Sequence, residues 1–233
     1  MQEIDLYTKR AYGTNQIHTF SKHSQLLYRA IGTSIKYKNG FYGDGLVSRF
    51  PIEYSANFLS PLRNKRSEQR GVLCTKLSFG TTTLNLFSVH LSTFEDERIL
   101  ACKELLRITS MIDKKEHIII GGDFNVGIAK LGDHKYSYKP SPEYKEYNIL
   151  KQKFNCLDNT APTWFAGEQQ GCIDTMFFSK NLRLVRHETI PTKLSDHYPV
   201  YAEFIIWTHK EPVPMCSIFL DNQHLLPPFH LLV

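Results

Sequence analysis

The sequence lacks any uninterrupted apolar run near the roughly 20 residues that a membrane-spanning helix needs. It also lacks a cationic leader followed by an apolar segment, so we expect no transmembrane segment. Its five cysteines are odd in number and have neither disulfide-framework nor structural-zinc spacing. Cys74, Cys102 and Cys172 lie in strand-like or helix-like apolar contexts, which predicts buried free thiols and favours an intracellular, cytoplasmic protein.

A strong excess of one charge is also missing. The chain has 28 Lys and Arg against 23 Asp and Glu, a net charge of +5. Several basic residues fall in one predicted loop, at Arg63, Lys65, Arg66 and Arg70, which suits a polyanionic or phosphate-bearing partner. A merely solvated surface is the alternative, because no basic arm or aromatic array indicates a nucleic-acid binding module.

The sequence has no internal repeat, low-complexity tract or interdomain linker. A chain of 233 residues, 42% of them hydrophobic, can bury one substantial core. We therefore predict one domain over residues 1–206. After Trp207 the apolar residues lose clear periodicity and prolines interrupt the chain, so we predict an irregular tail over 207–233.

Hydrophobic periodicity predicts strands that alternate irregularly with helices. Asn15 would cap a first helix whose apolar positions continue to Ile31, before Gly32 ends it. Ser92 and Glu95 resemble a capping box at the start of a later helix. Hairpins mixed with covering helices predict an α/β (α+β) fold in which two packed sheets are flanked by helices. The other predicted elements are strands at 46–52, 72–79, 84–89, 117–120, 172–178 and 198–204, helices at 99–112 and 144–154, and a loop at 133–143.

The motif Gly121-Gly122-Asp123-Phe124-Asn125 directly follows an apolar, β-branched run that reads as a buried strand. Asp123 and Asn125 should therefore lie at the carboxyl end of a strand, where pockets form. On an extended backbone both side chains would point into one cavity, while Phe124 would enter the core. A plain turn is the alternative, because Gly, Asp and Asn all suit turns.

Other carboxylates and imidazoles also lie beside predicted strands. Ser195-Asp196-His197 comes just before one strand, and His90 ends another. Asp174 lies in a strand so apolar that an unpartnered carboxylate there would carry a desolvation cost, which favours a partner for it. Taken alone, each of these residues is more often a surface or packing residue than a functional one.

Together with Gln2-Glu3 and Val89-His90-Leu91, these motifs resemble the endonuclease/exonuclease/phosphatase superfamily, the metal-dependent phosphodiesterases that include deoxyribonuclease I. The resemblance runs from Met1 to about Phe204 and implies a four-layer sandwich of two mixed β-sheets flanked by helices. Its bacterial-type branch shows Gly-Asn-Ala where this chain has Gly43-Asp44-Gly45. The resemblance also implies that a first strand and helix are missing ahead of Met1, so a secreted protein stays open.

The resemblance implies a Mg²⁺ or Mn²⁺ cofactor, with Glu3 and Asp196 as its carboxylate ligands. Asp123 would orient or deprotonate the attacking water, and Asn125 would hold the phosphate or that water. His197 would contact the scissile phosphate or act as a base, with Asp174 fixing its tautomer. The resemblance further implies that His90 donates a hydrogen bond to a phosphate oxygen or to the leaving oxygen. Arg10 and Arg49 would bind phosphate, and a salt bridge is the alternative role for either arginine.

The sequence thus predicts a divalent-metal-dependent phosphodiester hydrolase, first of all a nuclease that acts on DNA or RNA. A phospholipid or phosphoinositide hydrolase of the sphingomyelinase type is one alternative. An inactive, truncated binding protein is another. We expect a phosphodiester partner, with nucleic acid favoured, and a monomer without a stable protein partner.

Overall fold

The computed structural model describes residues 1–63, 67–80, 82–130, 144–157, 161–166, 169–207 and 212–220. The helices are α1 (Gln16–Ser24), α2 (Glu95–Ser110) and α3 (Lys145–Lys151). The strands are β1 (Ile4–Leu6), β2 (Tyr28–Tyr37), β3 (Gly40–Ser48), β4 (Ile52–Leu59), β5 (Gly71–Phe79), β6 (Thr82–His90), β7 (His117–Asp123), β8 (Ile128–Lys130), β9 (Phe154–Cys156), β10 (Trp164–Ala166), β11 (Gln169–Gly171), β12 (Asp174–Ser179), β13 (Leu182–Thr189), β14 (Val200–Trp207) and β15 (Pro212–Leu220).

The central sheet has six strands in the order β4-β5-β6-β7-β12-β9. It is mixed, because β6 and β7 run parallel while their neighbours pair antiparallel. Helix α2 makes the crossover between β6 and β7, and Cys102 and Leu105 on it pack against Ile120 and Phe177 of the sheet. Burial of β7 on both faces explains why its first half is a continuous apolar run.

A second layer covers the other face of the central sheet. It consists of two antiparallel three-stranded sheets, β1-β3-β2 and β13-β14-β15. Leu46 and Phe204 from these sheets pack against Leu86 and Met176 of the central sheet. Helix α1 lies outermost, where Ile17 packs against β1. The predicted four layers are therefore present. Within the described residues, however, the second layer consists of two separate antiparallel sheets and not of one mixed sheet.

The predicted helix from Asn15 to Ile31 is wrong beyond its first half. Asn15 does cap α1, and its side chain accepts a hydrogen bond from the backbone N–H of His18 at 3.0 Å. The helix ends at Gln25, whose φ of 58° is left-handed. The apolar residues that follow belong to β2, where Ile31 pairs with Gly45 of β3. Pairing with a neighbouring strand thus overrides a pattern with helical spacing.

Other boundaries also differ from the sequence prediction. The capping box does not form, because α2 has Phe94 as its N-cap, while Ser92 Oγ donates to Glu97 at 2.6 Å. The segment 46–52 is divided between β3 and β4 on either side of Pro51. The β5–β6 hairpin and the strand before Asp123 are confirmed. The predicted loop at 133–143 lies outside the described residues.

The prediction of an irregular tail is wrong for residues 212–220. They form β15, which pairs with β14 from Trp207 opposite Pro212 to Val200 opposite Leu220. An edge strand accepts prolines because only one side of its backbone is paired. The rest of the predicted tail after Trp207 lies outside the described residues.

Cys74, Cys102 and Cys172 are buried free thiols, as predicted, and Cys156 is partly buried. Burial raises the pKa of the Cys74 thiol to about 11. No helix within the described ranges is both long enough and apolar enough to cross a membrane.

Candidate active site

The candidate site lies where β6 and β7 end side by side. His90, the last residue of β6, is in register with Asp123, the last residue of β7. Asp174, the first residue of β12, pairs with Asp123 from the other side. Three strand ends therefore bring one imidazole and two carboxylates together, and all three residues are buried.

Gly122, directly before Asp123, is needed for this close packing. Gly122 has a φ of 150°, and a Cβ there would collide with the carbonyl oxygen of Val89. The chain does not continue extended beyond Asp123, because Asn125 has a left-handed φ of 54°. The predicted alternation along an extended backbone is therefore wrong for Asn125, although Phe124 is fully buried as expected.

Asn125 ties the ends of β6 and β7 together. Its backbone N–H donates to Asp123 Oδ1 at 2.8 Å, which closes a local turn. Its side-chain Nδ2 donates to the carbonyl oxygen of Leu91, also at 2.8 Å. Both contacts hold the Asp123 carboxylate in place beside His90.

Asp174 and His197 form a close pair. His197 Nδ1 lies 2.8 Å from Asp174 Oδ2, and both side chains are largely buried. Burial by itself would lower the pKa of His197. The adjoining Asp174 carboxylate, with smaller contributions from Asp123 and Asp196, outweighs burial and raises that pKa to about 9. His197 is therefore a cation at neutral pH, with Nδ1–H donating to Asp174.

Asp123 lies beside this pair. Candidate ligand atoms of Asp123, Asp174 and His197 all lie within 4.8 Å of one another. Burial, followed by the charge of Asp174, raises the pKa of Asp123 to about 8, although His197, the Asn125 N–H and Arg70 oppose the shift. Two carboxylates next to one cation cannot both ionise easily in a buried site.

His90 is held as a neutral imidazole. Its Nδ1 lies 3.0 Å from Arg70 Nη1, and because a guanidinium can only donate, Nδ1 is the acceptor. Burial lowers the pKa of His90 well below its ordinary value, and the charges of Arg70 and His197 lower it further. The proton therefore resides on Nε2, which lies 3.4 Å from Asp123 Oδ2.

A small cavity, open to solvent, adjoins His90 and Arg70 on the side of β1 and β3. Glu3 and Asp44 also line it, as does Tyr42. Glu3 has a left-handed φ of 58°, and its carboxylate accepts a hydrogen bond from Tyr42. The cavity thus places two further carboxylates next to the His90 imidazole.

Asp44 differs from the other carboxylates because its side chain has no hydrogen-bond partner among the described residues, although it is only 2% exposed. Burial raises its pKa to about 8. The amino terminus and Arg70 oppose that shift, whereas Asp123 and Glu3 add to it. These two positive charges offset only part of the cost of burying a carboxyl that makes no hydrogen bond.

The donor set of the site fits a divalent cation. Carboxylate oxygens are the ligands that Mg²⁺ and Mn²⁺ prefer. Burial first, and then neighbouring carboxylates, raise the pKa values of Asp44 and Asp123, and a bound cation would favour the ionised form of both groups. The closest group, Asp123 with Asp174 and His197, contains neither of the predicted ligands Glu3 and Asp196.

Comparison with known proteins adds a family to this geometry. The profile of the Endonuclease/Exonuclease/phosphatase family matches residues 1–197. The chain belongs to this family. Its name joins nucleases and phosphatases, which are enzymes that hydrolyse phosphate esters. The resemblance proposed from the motifs is therefore confirmed at the level of the family.

Several solved structures share the fold, among them proteins described as endonuclease/exonuclease/phosphatase family members. One from Bacteroides vulgatus is 15% identical, with a TM-score of 0.63, over 83% of this chain and 81% of that one. A mannosyl-6-phosphatase from Bacteroides thetaiotaomicron is 15% identical, with a TM-score of 0.57, over 82% and 81%. The human Nocturnin catalytic domain with bound sulfate is 16% identical, with a TM-score of 0.59, over 87% and 78%. No curated protein sequence matches this chain significantly.

Several of the residues predicted from the family's motifs thus come together. Asp123, Asn125, Asp174, His90 and His197 surround the ends of β6 and β7. Glu3 lies across His90 from them, in the cavity.

Asp196 is exposed at the rim, where its Oδ2 accepts a hydrogen bond from Trp164 Nε1 at 3.3 Å. Its contribution to the site is its charge, which helps to raise the pKa of His197. Trp164 also forms a backbone bridge with His197 and therefore supports the loop that carries both residues.

The two predicted phosphate-binding arginines have other positions. Arg10 Nε is paired with buried Asp5 Oδ2 at 2.8 Å, and its guanidinium stacks over the Tyr42 ring at 4.6 Å. It supports Tyr42, the hydrogen-bond partner of Glu3. Arg49 is exposed just beyond the end of β3, about 16 Å along the chain from Asp44 at roughly 3.3 Å per residue. The structure does not bring Arg49 to the cavity.

Arg70 is the cavity arginine that motif reasoning missed as a site residue. Besides His90, it contacts Glu68, with Nη1 3.0 Å from Oε1. The sequence signal was only its place in a basic loop. Lys65 and Arg66 of that loop lie outside the described residues.

Proposed function

We propose that the protein is a divalent-metal-dependent phosphodiester hydrolase that cleaves nucleic acid. The observation that carries this proposal is the arrangement around the Asp123 carboxylate. The Asp174–His197 pair lies on one side of Asp123, and neutral His90 lies on the other. Asp123 can accept a proton there, and His197 and His90 can donate hydrogen bonds to a phosphate. Hydrolysis of a phosphodiester requires both functions.

His197 would bind the scissile phosphate. With Nδ1–H donating to Asp174, its remaining Nε2–H and its positive charge are available for a non-bridging oxygen. Because burial limits the access of water to this pair, the charge acts over a short, weakly screened distance. Asp174 would keep the imidazole in this tautomer and orientation, as a carboxylate does in other His–Asp pairs.

Asp123 would orient the attacking water and accept its proton. A carboxylate whose pKa is raised to about 8 is a stronger base than an exposed carboxylate, and its pKa lies near neutral pH, where a general base is most effective. His90, neutral with its proton on Nε2, would donate to a phosphate or leaving oxygen. Arg70 would add a positive charge at the edge of the cavity.

The carboxylates on the cavity side, with Glu3 first among them, would hold Mg²⁺ or Mn²⁺. A bound divalent cation supplies charge neutralisation for the phosphate and the departing oxygen. Nucleic acid is the proposed substrate class because the family name joins endonucleases and exonucleases and because the chain is basic, with a net charge of +5. The sulfate bound by the related human Nocturnin domain is consistent with an anionic ligand at this fold.

A substrate panel tests the proposal. Supercoiled plasmid, single-stranded RNA, an abasic duplex, sphingomyelin and a phosphoinositide are incubated with the protein in Mg²⁺ or in chelator. We expect nicking or degradation of a nucleic acid that needs Mg²⁺ and that Asp123→Ala abolishes. The matched control is Asp113→Asn, which changes an exposed carboxylate whose Oδ1 accepts a hydrogen bond from the local Lys115 N–H. Hydrolysis of the lipids alone, or full turnover in chelator, would refute the proposal.

A further inference from the structure

The strongest unexplained feature of the site is the Asp44 carboxyl on β3. Its strand neighbour Leu46, two residues along, packs against the central sheet. Because side chains two residues apart share a face, Asp44 also faces the space between the layers. There it lines the same cavity as Glu3 and His90.

We propose that Asp44 is a ligand of the divalent cation at this site, together with Glu3. This inference rests on the metal dependence in the proposed function. Ile4 pairs with Gly43, so Glu3 and Asp44 follow at the same end of the two strands, and both line the cavity. Two facing carboxylates supply hard oxygen ligands whose charges balance a divalent cation.

The second observation is that the Asp44 side chain makes no hydrogen bond within the described chain, and its positive neighbours, the amino terminus and Arg70, offset its burial only in part. A carboxyl that is 2% exposed and makes no hydrogen bond is costly to bury unless something else satisfies it. The nearest guanidinium, Arg70, is directed to Glu68 and His90, at 3.0 Å each. A cation in the cavity would satisfy Asp44 without displacing any of these contacts.

The strands next to Asp44 pack closely around it. A Cβ on Gly43 would collide with the carbonyl oxygen of Gly32 on the adjoining strand. A Cβ on Gly45 would press into Ile17 and Ile4. Glycines on both sides of Asp44 thus allow β3 to lie unusually close to its neighbours, and the position of the carboxyl is set by that packing.

Binding of Mn²⁺ alone tests the proposal without substrate. Electron paramagnetic resonance of free Mn²⁺ and calorimetry would give the affinity of the wild type, Asp44→Asn and Glu3→Gln. Asn keeps the shape of the side chain and removes its charge. We expect Asp44→Asn to weaken Mn²⁺ binding on the order of 10-fold or more. Asp113→Asn, an exposed change of the same chemistry, should bind like the wild type.

Each outcome is decisive. If Glu3→Gln weakens Mn²⁺ binding and Asp44→Asn binds as tightly as the wild type, the Asp44 proposal is wrong while the metal-dependent function survives. If the wild type binds no Mn²⁺, both are wrong. Circular dichroism shows whether Asp44→Asn folds. Should it not fold, Asp44→Ser is measured in the same way, and wild-type affinity in that variant would likewise overturn the proposal.

Discussion

The Asp174–His197 pair gives the sharpest prediction, because replacing Asp174 by Asn removes a charge and almost no volume. Asp174 is the main reason that the pKa of His197 lies at about 9 despite burial. Without that charge, burial dominates, and we expect the pKa of His197 to fall to its ordinary value of 6.5 or below. At pH 7.5 the imidazole would change from mostly charged to mostly neutral.

The effect on stability follows from the same pKa. A histidine whose pKa is raised on folding contributes its full stabilisation below pH 6.5 and loses it as the pH rises through about 9. At pH 7.5, 1.5 pH units below that value, about 1.4 kcal/mol per unit gives about 2 kcal/mol. For a chain of this size, that corresponds to about 4–8 °C in the unfolding temperature. The loss should be larger at pH 6 and should vanish above pH 9 to 10.

The effect on activity should be much larger, a fall of about 10² to 10⁴ in the rate of phosphodiester cleavage at pH 7.5. Lowering the pH should restore part of it, because His197 regains its proton. Rate, melting temperature and the NMR titration of His197 are measured on one preparation. Glu116→Gln is the control. Glu116 lies at the opposite end of β7, where it contacts Lys76 Nζ at 2.9 Å, so its change should lower stability and spare the rate. A wild-type rate for Asp174→Asn, together with an inactive His197→Ala, would show that Asp174 is structural.

Three further predictions test other contacts. Arg70→Lys keeps the charge but loses the guanidinium Nη1 that contacts both His90 and Glu68, so we expect kcat to fall about 10-fold or more with the fold intact; an unchanged kcat would remove Arg70 from the site. Arg98→Ala leaves the buried Glu146 carboxylate unpaired and should cost about 3–5 kcal/mol in denaturant unfolding, and a loss below about 1 kcal/mol would contradict that reasoning. Cys102 is fully buried, and burial raises the pKa of its thiol. A thiol reagent should therefore label Cys102 only as fast as the protein unfolds. Rapid labelling of the native protein would show that this part of the core opens.

Local sequence patterns predicted those elements whose structure depends mainly on near neighbours. The β5–β6 hairpin has its partner strands adjacent in the chain, and β7 is apolar because both its faces are covered. The helix predicted as far as Ile31 failed because pairing of β2 with β3 decided that segment. Strand β15 was missed for a similar reason, since its pairing with β14 compensates for two prolines.

The sequence by itself predicted which acid and imidazole groups lie together, because their motifs adjoin predicted strands and resemble those of the family. Asp123, Asp174 and His197 were found in this way. Only the tertiary structure revealed that Asp44 and Arg70 line one cavity with Glu3. Whether a side chain is buried, and beside which charges, depends on the register of strands far apart in the chain, and composition or spacing does not carry that information.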